Sequence, residues 1–348
     1  MDTHPYSETH GFTAHALQEL EAQRPSEYGT IRGFYDTHPT LSELKAEVIE
    51  GLSNTPKQIS PKFFYDAYGS KLFDAITELP EYYPTRTEIA LIRQHGAEMA
   101  RMAGTGSVLV ELGSGSSLKV QLLLEALKPA AYVPIDISRQ HLLESAESLA
   151  KSFPHTAIFP VCADYSKDFH LPEIEEEAPR LAFFPGSSIG NFEPKDAVTL
   201  LGRVAKLLGH GGGLIIGVDL PKDPQVLHAA YNDAQGVTAQ FNVNLLTRIN
   251  REASGHFNLS QFTHDAFFNE DLSRIEMHLK STTDQIIKIG DHSFTFEKDE
   301  TIHTESSYKY SVEAFRDLAS TAGFHSEALW MDEEKRFSIH FMRVGKSN

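Results

Sequence analysis

Glycines, acids and one aromatic residue stand at the ends of successive apolar runs, a pattern typical of nucleotide-like ligands. Gly113 and Gly115 follow the first run, and glycines there allow a tight turn and a close approach of the backbone to a ligand. Asp136 ends the second run, where a carboxylate can accept both hydroxyls of a ribose. Asp164 and Tyr165 follow the third run, where an acid can accept an adenine amino group and a ring can stack. A plain α/β loop with acidic helix caps is the alternative explanation.

The position of a third glycine separates two classes of nucleotide ligand. Leu118 stands where a strict G-x-G-x-x-G sequence has the glycine that serves close packing around a pyrophosphate. A leucine at this position favours a ligand without phosphate, such as S-adenosylmethionine, over a dinucleotide. A nicotinamide oxidoreductase is therefore the least favoured enzyme class.

Short apolar runs alternating with helical patterns must position these residues. Runs that predict strands occupy residues 108–112, 132–136, 157–162, 181–185 and 214–219. Strands that are apolar along their whole length indicate a parallel sheet covered on both faces, so we predict a doubly wound, Rossmann-like α/β domain. A helix at 312–322 and strands at 324–331 and 337–344 predict a terminal antiparallel hairpin, which S-adenosylmethionine-dependent methyltransferases commonly carry.

Composition excludes several kinds of partner. The chain has 348 residues with 31 Lys+Arg against 48 Asp+Glu, and a net charge of −17 repels phosphate backbones, so no nucleic acid is expected. No apolar run is long enough to span a bilayer, and the N-terminus lacks the apolar stretch of a secretory signal. Cys162 is a single cysteine, which fits a reducing compartment, and we predict a cytoplasmic protein without membrane partners.

Short sequence blocks along most of the chain form a longer and more specific pattern. The first, at 61–88, contains Lys-Phe-Phe-Tyr-Asp and ends in Leu-Pro-Glu-Tyr-Tyr-Pro-Thr-Arg-Thr-Glu. The others are VELGSG at 110–115, GSSIGN at 186–191, DLPKD at 219–223, AYNDAQGVTA at 230–239, RIEM at 274–277 and TESS at 304–307. From about residue 40 to the C-terminus, the chain resembles the histidine N-alpha-methyltransferases, the first enzymes of ergothioneine biosynthesis.

The resemblance implies a reaction and its site. Members of the family trimethylate the α-amine of L-histidine with three molecules of S-adenosylmethionine and form the betaine hercynine. By resemblance, the catalytic residue beside the amine is Tyr82, and the substrate-binding residues are Tyr82, Asn191, Tyr231, Met277, Glu305 and Ser307. Asn191 and Tyr231 would hold the carboxylate, and Glu305 and Ser307 would bind the imidazole, with Met277 packed near it. The residues implied for the cofactor are Gly113, Gly115, Lys119, Asp136, Asp164 and Tyr165. No metal site is expected.

The resemblance also implies a division of the chain. Residues 87–221 and 310–348 are predicted to bind S-adenosylmethionine. Residues 40–86 and the insert 222–309 are predicted to form a smaller α+β domain for the amino-acid substrate, and residues 1–39 an N-terminal arm. We expect a monomer that acts on a small molecule.

The residue types at positions 305 and 307 are chemically suited to bind an imidazole ring. Glu305 and Ser307 are two residues apart, so on an extended strand they point to the same face. A neutral imidazole has one donor and one acceptor nitrogen, while a carboxylate accepts and a hydroxyl can donate. The pair therefore matches both ring nitrogens.

Purely structural explanations remain for the same residues. Tyr82 can pack its loop, Asn191 can cap a helix, Tyr231 and Met277 can belong to a core, and Glu305 can be solvated. Two other functions also remain open: methylation of a different amino acid or aromatic amine, and binding of S-adenosylmethionine without catalysis.

Overall fold

The computed structural model describes residues 30–37, 40–115, 118–169, 171–172, 174 and 178–346. The predicted N-terminal arm therefore lies mostly outside the described residues. Its end, residues 30–37, lies against the central sheet: Ile31 forms an isolated bridge with Ile158, and Tyr35 and Asp36 pair with Val161 and Cys162.

The described residues form fifteen strands and nine α-helices. In chain order the strands are β1 (Tyr35–Asp36), β2 (Lys57–Gln58), β3 (Val108–Leu112), β4 (Ala131–Asp136), β5 (Ala157–Ile158), β6 (Val161–Cys162), β7 (Arg180–Phe184), β8 (Gly213–Asp219), β9 (Phe262–Asn269), β10 (Arg274–Ser281), β11 (Gln285–Ile289), β12 (His292–Phe296), β13 (Thr301–Tyr308), β14 (Phe324–Met331) and β15 (Phe337–Val344). The helices are α1 (Leu41–Ser53), α2 (Ala67–Thr77), α3 (Tyr83–Ala103), α4 (Leu118–Leu127), α5 (Arg139–Ser152), α6 (Pro194–Leu208), α7 (Pro224–Tyr231), α8 (Val237–Glu252) and α9 (Val312–Thr321).

A mixed nine-stranded sheet forms the centre of the described chain. Its order is β1-β6-β4-β3-β7-β8-β15-β14, with β5 beside β4. The strands from β1 to β8 in this order pair in parallel, whereas β15 pairs antiparallel with both β8 and β14. The predicted α/β fold with its terminal antiparallel hairpin is confirmed. Because β3 and β4 are buried along almost their entire length, they read as continuous apolar runs in the sequence.

The predicted strand 157–162 is interrupted. Phe159 and Pro160 separate β5 from β6, and a proline has no N–H to donate to a neighbouring strand. The carbonyl of Pro160 still accepts a hydrogen bond from Tyr35 N at 3.0 Å. The interruption thus brings the end of the N-terminal segment against the sheet edge.

The helices α1 and α3 begin with different local sequence signals. At α1, Thr40 accepts a hydrogen bond from Glu43 N while the Glu43 side chain accepts one from Thr40 N, which completes a capping box. For the next long helix, the sequence predicts a start near Glu88 with Thr85 or Thr87 as the cap, and this prediction was wrong. The helix α3 starts at Tyr83, because Pro84 fits the first turn, where a missing N–H costs nothing.

Buried apolar side chains group by segment. One cluster combines residues of 44–83 with residues of 227–302, and two others cover the opposite faces of the central sheet. Tyr83 belongs to the first cluster and Leu91 to one sheet face, so α3 passes across the predicted boundary at residues 86 and 87. A second sheet, of order β2-β13-β10-β9, and the hairpin β11-β12 belong to the insert and its partners.

No helix within the described ranges is both long and apolar enough to cross a membrane.

Candidate active site

A cavity of about 690 Å³ opens where the carboxyl ends of β3, β4 and β6 face β13. Parallel α/β sheets bind their ligands at this edge. The sequence-predicted site residues that line the cavity are Gly113, Gly115, Asp136, Asp164, Tyr165, Asn191 and Glu305. Those that do not line it are Tyr82, Lys119, Tyr231, Met277 and Ser307.

The turn after β3 depends on one glycine for its backbone conformation. Gly113 has a φ of +75°, which side chains rarely tolerate, and both Gly113 N and Ser114 N donate to Ile135 O at 2.9 and 3.0 Å. A Cβ at Gly113 would meet the Tyr165 ring only at 3.7 Å, so the φ, not crowding, requires glycine. A Cβ at Gly115 would point into open space.

Acidic and aromatic groups of the next two strand ends face this turn. Burial raises the pKa of Asp136 to about 6, and one of its oxygens accepts from Ser138 N at 2.7 Å. Tyr165 packs edge-on against Phe184, with ring centroids 5.7 Å apart, which leaves the ring as part of the cavity wall. A carboxylate can accept hydrogen bonds from a ribose and a ring can stack on a flat base, so the cofactor roles of these two residues stay predictions.

Asp164 is already engaged in hydrogen bonds. Its Oδ2 lies 3.0 Å from Lys62 Nζ, and its Oδ1 accepts from Ser166 N at 3.0 Å. Burial alone would raise the pKa of Asp164, but hydrogen bonds from Ser166 and the Lys62 ammonium outweigh it and hold the pKa below its ordinary value. Since Lys62 also lies 2.7 Å from Glu47 of α1, it ties the N-terminal segment to the predicted cofactor side of the cavity.

Lys119, implied for the cofactor, lies behind the turn instead. Its Nζ is 2.7 Å from Oε2 of Glu88, a fully buried residue of α3. Glu88 also accepts from Gly186 N at 2.9 Å. In this arrangement Lys119 neutralises a buried carboxylate.

Strands β10 and β13 place three predicted residues in register. Met277 pairs with Glu305, and Ile275 pairs with Ser307. Glu305 is 9% exposed, and burial raises its pKa to about 7 despite the nearby Lys309. Glu305 is therefore not solvated, and it lines the cavity.

Tyr231, Ser307 and Lys309 form a buried group beside Glu305. Tyr231 Oη donates to Ser307 Oγ at 2.8 Å, and Lys309 Nζ donates to the same oxygen at 2.8 Å. Lys309 Nζ also lies 2.9 Å from Oδ2 of Asp219, at the end of β8. Sequence reasoning missed Lys309 and Asp219. The available signals were the alternation of Lys309 with Glu305 and Ser307, and the position of Asp219 in the DLPKD block.

Tyr65 is a third residue that sequence reasoning left without a role. It lines the cavity, whereas Tyr82 is buried in an aromatic cluster with its ring 6.4 Å from that of Phe73. Burial raises the pKa of Tyr65 well above its ordinary value, and Glu305 and Tyr165 raise it further. Tyr65 therefore lies near groups of both the predicted substrate side and the predicted cofactor side.

The structure excludes a helix-capping role for Asn191 and places His303 at the cavity. Asn191 ends a short 3-10 helix, Ser188–Asn191, and the N-cap position of α6 belongs to Glu193, so Asn191 does not cap that helix. His303, to which the sequence assigns no role, lines the cavity, and its Nε2 lies 3.1 Å from Ser306 Oγ.

Three potential metal ligands meet next to the cavity. Ligand atoms of Glu276, His278 and His303 lie within 4.8 Å of one another. The Glu276 carboxylate already accepts from Arg274, Asn269 and His278 at 2.8 to 3.0 Å. The guanidinium supplies the positive charge that a metal would otherwise bring.

Comparison with known proteins identifies the family. The profile of the histidine-specific, S-adenosylmethionine-dependent methyltransferases matches residues 44–344. The chain belongs to this family. The predicted family and cofactor are confirmed, and the protein is an S-adenosylmethionine-dependent methyltransferase.

Proteins similar in sequence to this chain are named for different methyl acceptors or pathways. A histidine N-alpha-methyltransferase of Mycobacterium tuberculosis is 40% identical over 302 residues, which cover 85% of this chain and 93% of that protein. Ergothioneine biosynthesis protein 1 of Neurospora crassa is 33% identical over 285 residues, covering 79% of this chain and 32% of that protein. An L-tryptophan methyltransferase of Psilocybe serbica is 26% identical over 345 residues, covering 90% of this chain and 96% of that protein.

Proposed function

We propose that this methyltransferase transfers three methyl groups, one at a time, to the α-amine of L-histidine and forms hercynine for ergothioneine biosynthesis. The observation that carries the proposal is that one cavity is lined both by Asp136 and Tyr165 and by Asn191 and Glu305. The first pair suits a ribose and an adenine, and the second pair suits the carboxylate and imidazole of histidine.

The protein's contribution to the reaction is mainly orientation. S-adenosylmethionine supplies the methyl group from its sulfonium, and transfer is an in-line displacement that needs a neutral amine. We propose that Asn191 and Tyr231 hold the substrate carboxylate. Tyr231 donates to Ser307 in the described arrangement, so its hydroxyl would have to rotate to serve the carboxylate.

Two tyrosines are proposed to surround the amine. Tyr65 faces the cavity and Tyr82 lies in the aromatic cluster behind it, and Phe73 packs near both rings. A tyrosine hydroxyl can accept a hydrogen bond from the amine in the early transfers. A tyrosine ring can stabilise the trimethylammonium product by about 0.5–2 kcal/mol.

The imidazole site favours histidine over an indole or phenyl side chain. Glu305 is buried, and its carboxylate makes no hydrogen bond with another described residue. A buried carboxylate left without a donor costs roughly 1–3 kcal/mol or more, and an apolar ring provides none near it. This feature weighs against the alternative that the enzyme methylates an aromatic amine, which the relative named an L-tryptophan methyltransferase keeps open.

We further propose a domain assignment and a location. Residues 40–86 and 222–309 form the amino-acid domain, since side chains of both segments share one core, and the rest of the matched chain binds the cofactor. A monomer in the cytoplasm fits the single buried cysteine, Cys162. The negative net charge argues against nucleic acid as a partner.

The deciding experiment supplies purified protein with S-adenosylmethionine and all common amino acids together, with products identified by mass spectrometry. Histidine carrying one to three additional methyl groups is the expected product. The matched control is Glu305→Ala, which should lose histidine turnover while still binding S-adenosylhomocysteine. Methylation of another amine would refute histidine as substrate, and no product at all would favour a binding module without catalysis.

A further inference from the structure

A buried lysine, Lys309, contacts three polar groups next to Glu305. Lys309 is 3% exposed, and its Nζ lies 2.9 Å from Asp219 Oδ2, 2.8 Å from Ser307 Oγ and 3.3 Å from Tyr231 Oη. An ammonium group has three donors and no acceptor, so Lys309 donates in each of these contacts. The hydroxyls of Ser307 and Tyr231 therefore accept from Lys309, and each must direct its own proton elsewhere.

Counting lone pairs gives the direction of each hydrogen bond among Lys309, Tyr231 and Ser307. Tyr231 accepts from Lys309 and donates its own proton to Ser307 Oγ at 2.8 Å. Ser307 Oγ thus accepts from both Lys309 and Tyr231, which uses its two lone pairs. Its own O–H is left to donate, and within the described part of the chain Ser307 donates to no side chain or carbonyl.

Glu305 supplies the opposite polarity on the same strand. Its carboxylate lines the cavity, and none of the hydrogen bonds among described residues ends on it. Strand β13 therefore carries an acceptor at Glu305, which lines the cavity, and a donor at Ser307, which is buried two residues further along and outside the cavity lining.

We propose that Lys309 is a positioning residue that fixes the Ser307 hydroxyl as a donor, so that the site selects a ring with one acceptor and one donor nitrogen. The inference rests on the proposed histidine substrate. It predicts that the neutral imidazole is bound: an imidazolium has two N–H groups, one of which would face the Ser307 proton. When Tyr231 donates to the substrate carboxylate instead, Lys309 still donates to Ser307 Oγ and offers its proton no acceptor.

A double-mutant cycle separates this role from simple packing. The four proteins are the wild type, S307A, K309M and S307A/K309M, and methionine keeps roughly the length of lysine without its donors. We expect S307A and K309M each to raise KM for histidine roughly tenfold, with kcat and S-adenosylhomocysteine affinity changed less than about twofold. Because Lys309 acts through Ser307, the double variant should have nearly the same KM as S307A alone.

Two results of this cycle would contradict the proposed role of Lys309. If the two effects multiply to roughly a hundredfold, or if K309M lowers kcat and cofactor affinity together, Lys309 has no specific action through Ser307 and the proposal is wrong. Since K309M leaves Asp219 with one cation fewer, D219N/K309M removes both charges of the pair and provides a second cycle, with and without S307A. Melting temperature and S-adenosylhomocysteine binding establish which pair of variants is folded.

The two proposals fail in different ways. If the wild type does not methylate histidine, the proposed function is refuted. If it does, but the effects of S307A and K309M are independent, only the role of Lys309 is refuted.

Discussion

Replacing Glu305 by glutamine should stabilise the protein at alkaline pH and impair it as an enzyme. The buried carboxyl has a pKa of about 7, against an ordinary value of 4.5. A group whose pKa is raised on folding binds its proton more tightly in the folded state. Its carboxylate form therefore destabilises the fold, and that cost grows as pH rises from about 4.5 to above 7.

The magnitude follows from the two pKa values. At 1.36 kcal/mol for each pKa unit, the full cost of ionising Glu305 is roughly 3 kcal/mol, of which about 2–3 kcal/mol appears between pH 5 and pH 8.5. Glutamine keeps the shape and does not ionise. The free energy of unfolding of E305Q relative to the wild type should therefore increase by that amount over this range.

The assay is urea denaturation of both proteins at pH 5 and pH 8.5. The matched control is Glu147→Gln, at an exposed position of α5, which should behave like the wild type at both pH values. At pH 8 the same E305Q protein should have a kcat/KM for histidine lowered roughly tenfold, because a hydrogen bond to a charged acceptor becomes a neutral one. A difference in stability between E305Q and the wild type that does not change with pH would refute the reasoning.

Three further predictions concern other parts of the cavity. Tyr65→Phe should lower the single-turnover rate of methyl transfer at least tenfold, with S-adenosylhomocysteine affinity within about twofold of the wild type; equal rates would exclude a role for its hydroxyl. Gly113→Ala should lower the free energy of unfolding by about 1–2 kcal/mol because of its φ of +75°, measured in urea with Gly115→Ala as the control that changes little. The kcat/KM for histidine should rise from pH 7 to pH 9 as the amine loses its proton, and a flat or falling profile would contradict this requirement.

Local pattern was sufficient for most of the central sheet. The strands β3, β4, β7 and β8 are buried on both faces, so their composition alone marks them, and the acids that follow them come to one edge because the strands are parallel. The face shared by Glu305 and Ser307 was likewise predictable, because alternation along an extended strand is a local property.

Contacts between distant segments were not predictable in this way. Asp219 and Lys309 are 90 residues apart, and only the packing of β13 beside the end of β8 brings them within 2.9 Å. The position of Tyr65 depends on the turn between the 3-10 helix Pro61–Phe64 and α2, which no periodic pattern describes. The start of α3 was misplaced because a proline indicates a loop and a first helical turn equally well.

The buried charges around Asp219 explain how the site can stay ordered while the pH changes. Burial would raise the pKa of Asp219, but Lys309 and Lys222 reverse the effect and hold it below its ordinary value. Burial lowers the pKa of Lys222 to about 8, whereas the pKa of Lys309 is raised, because Asp219 more than offsets its own burial. Two lysines share one carboxylate, and Lys222 is the one that loses its proton first. Lys309 therefore remains a donor to Ser307 from pH 7 to pH 9, so the rise in rate over that range reports the substrate amine and Glu305 and not a loss of the imidazole site.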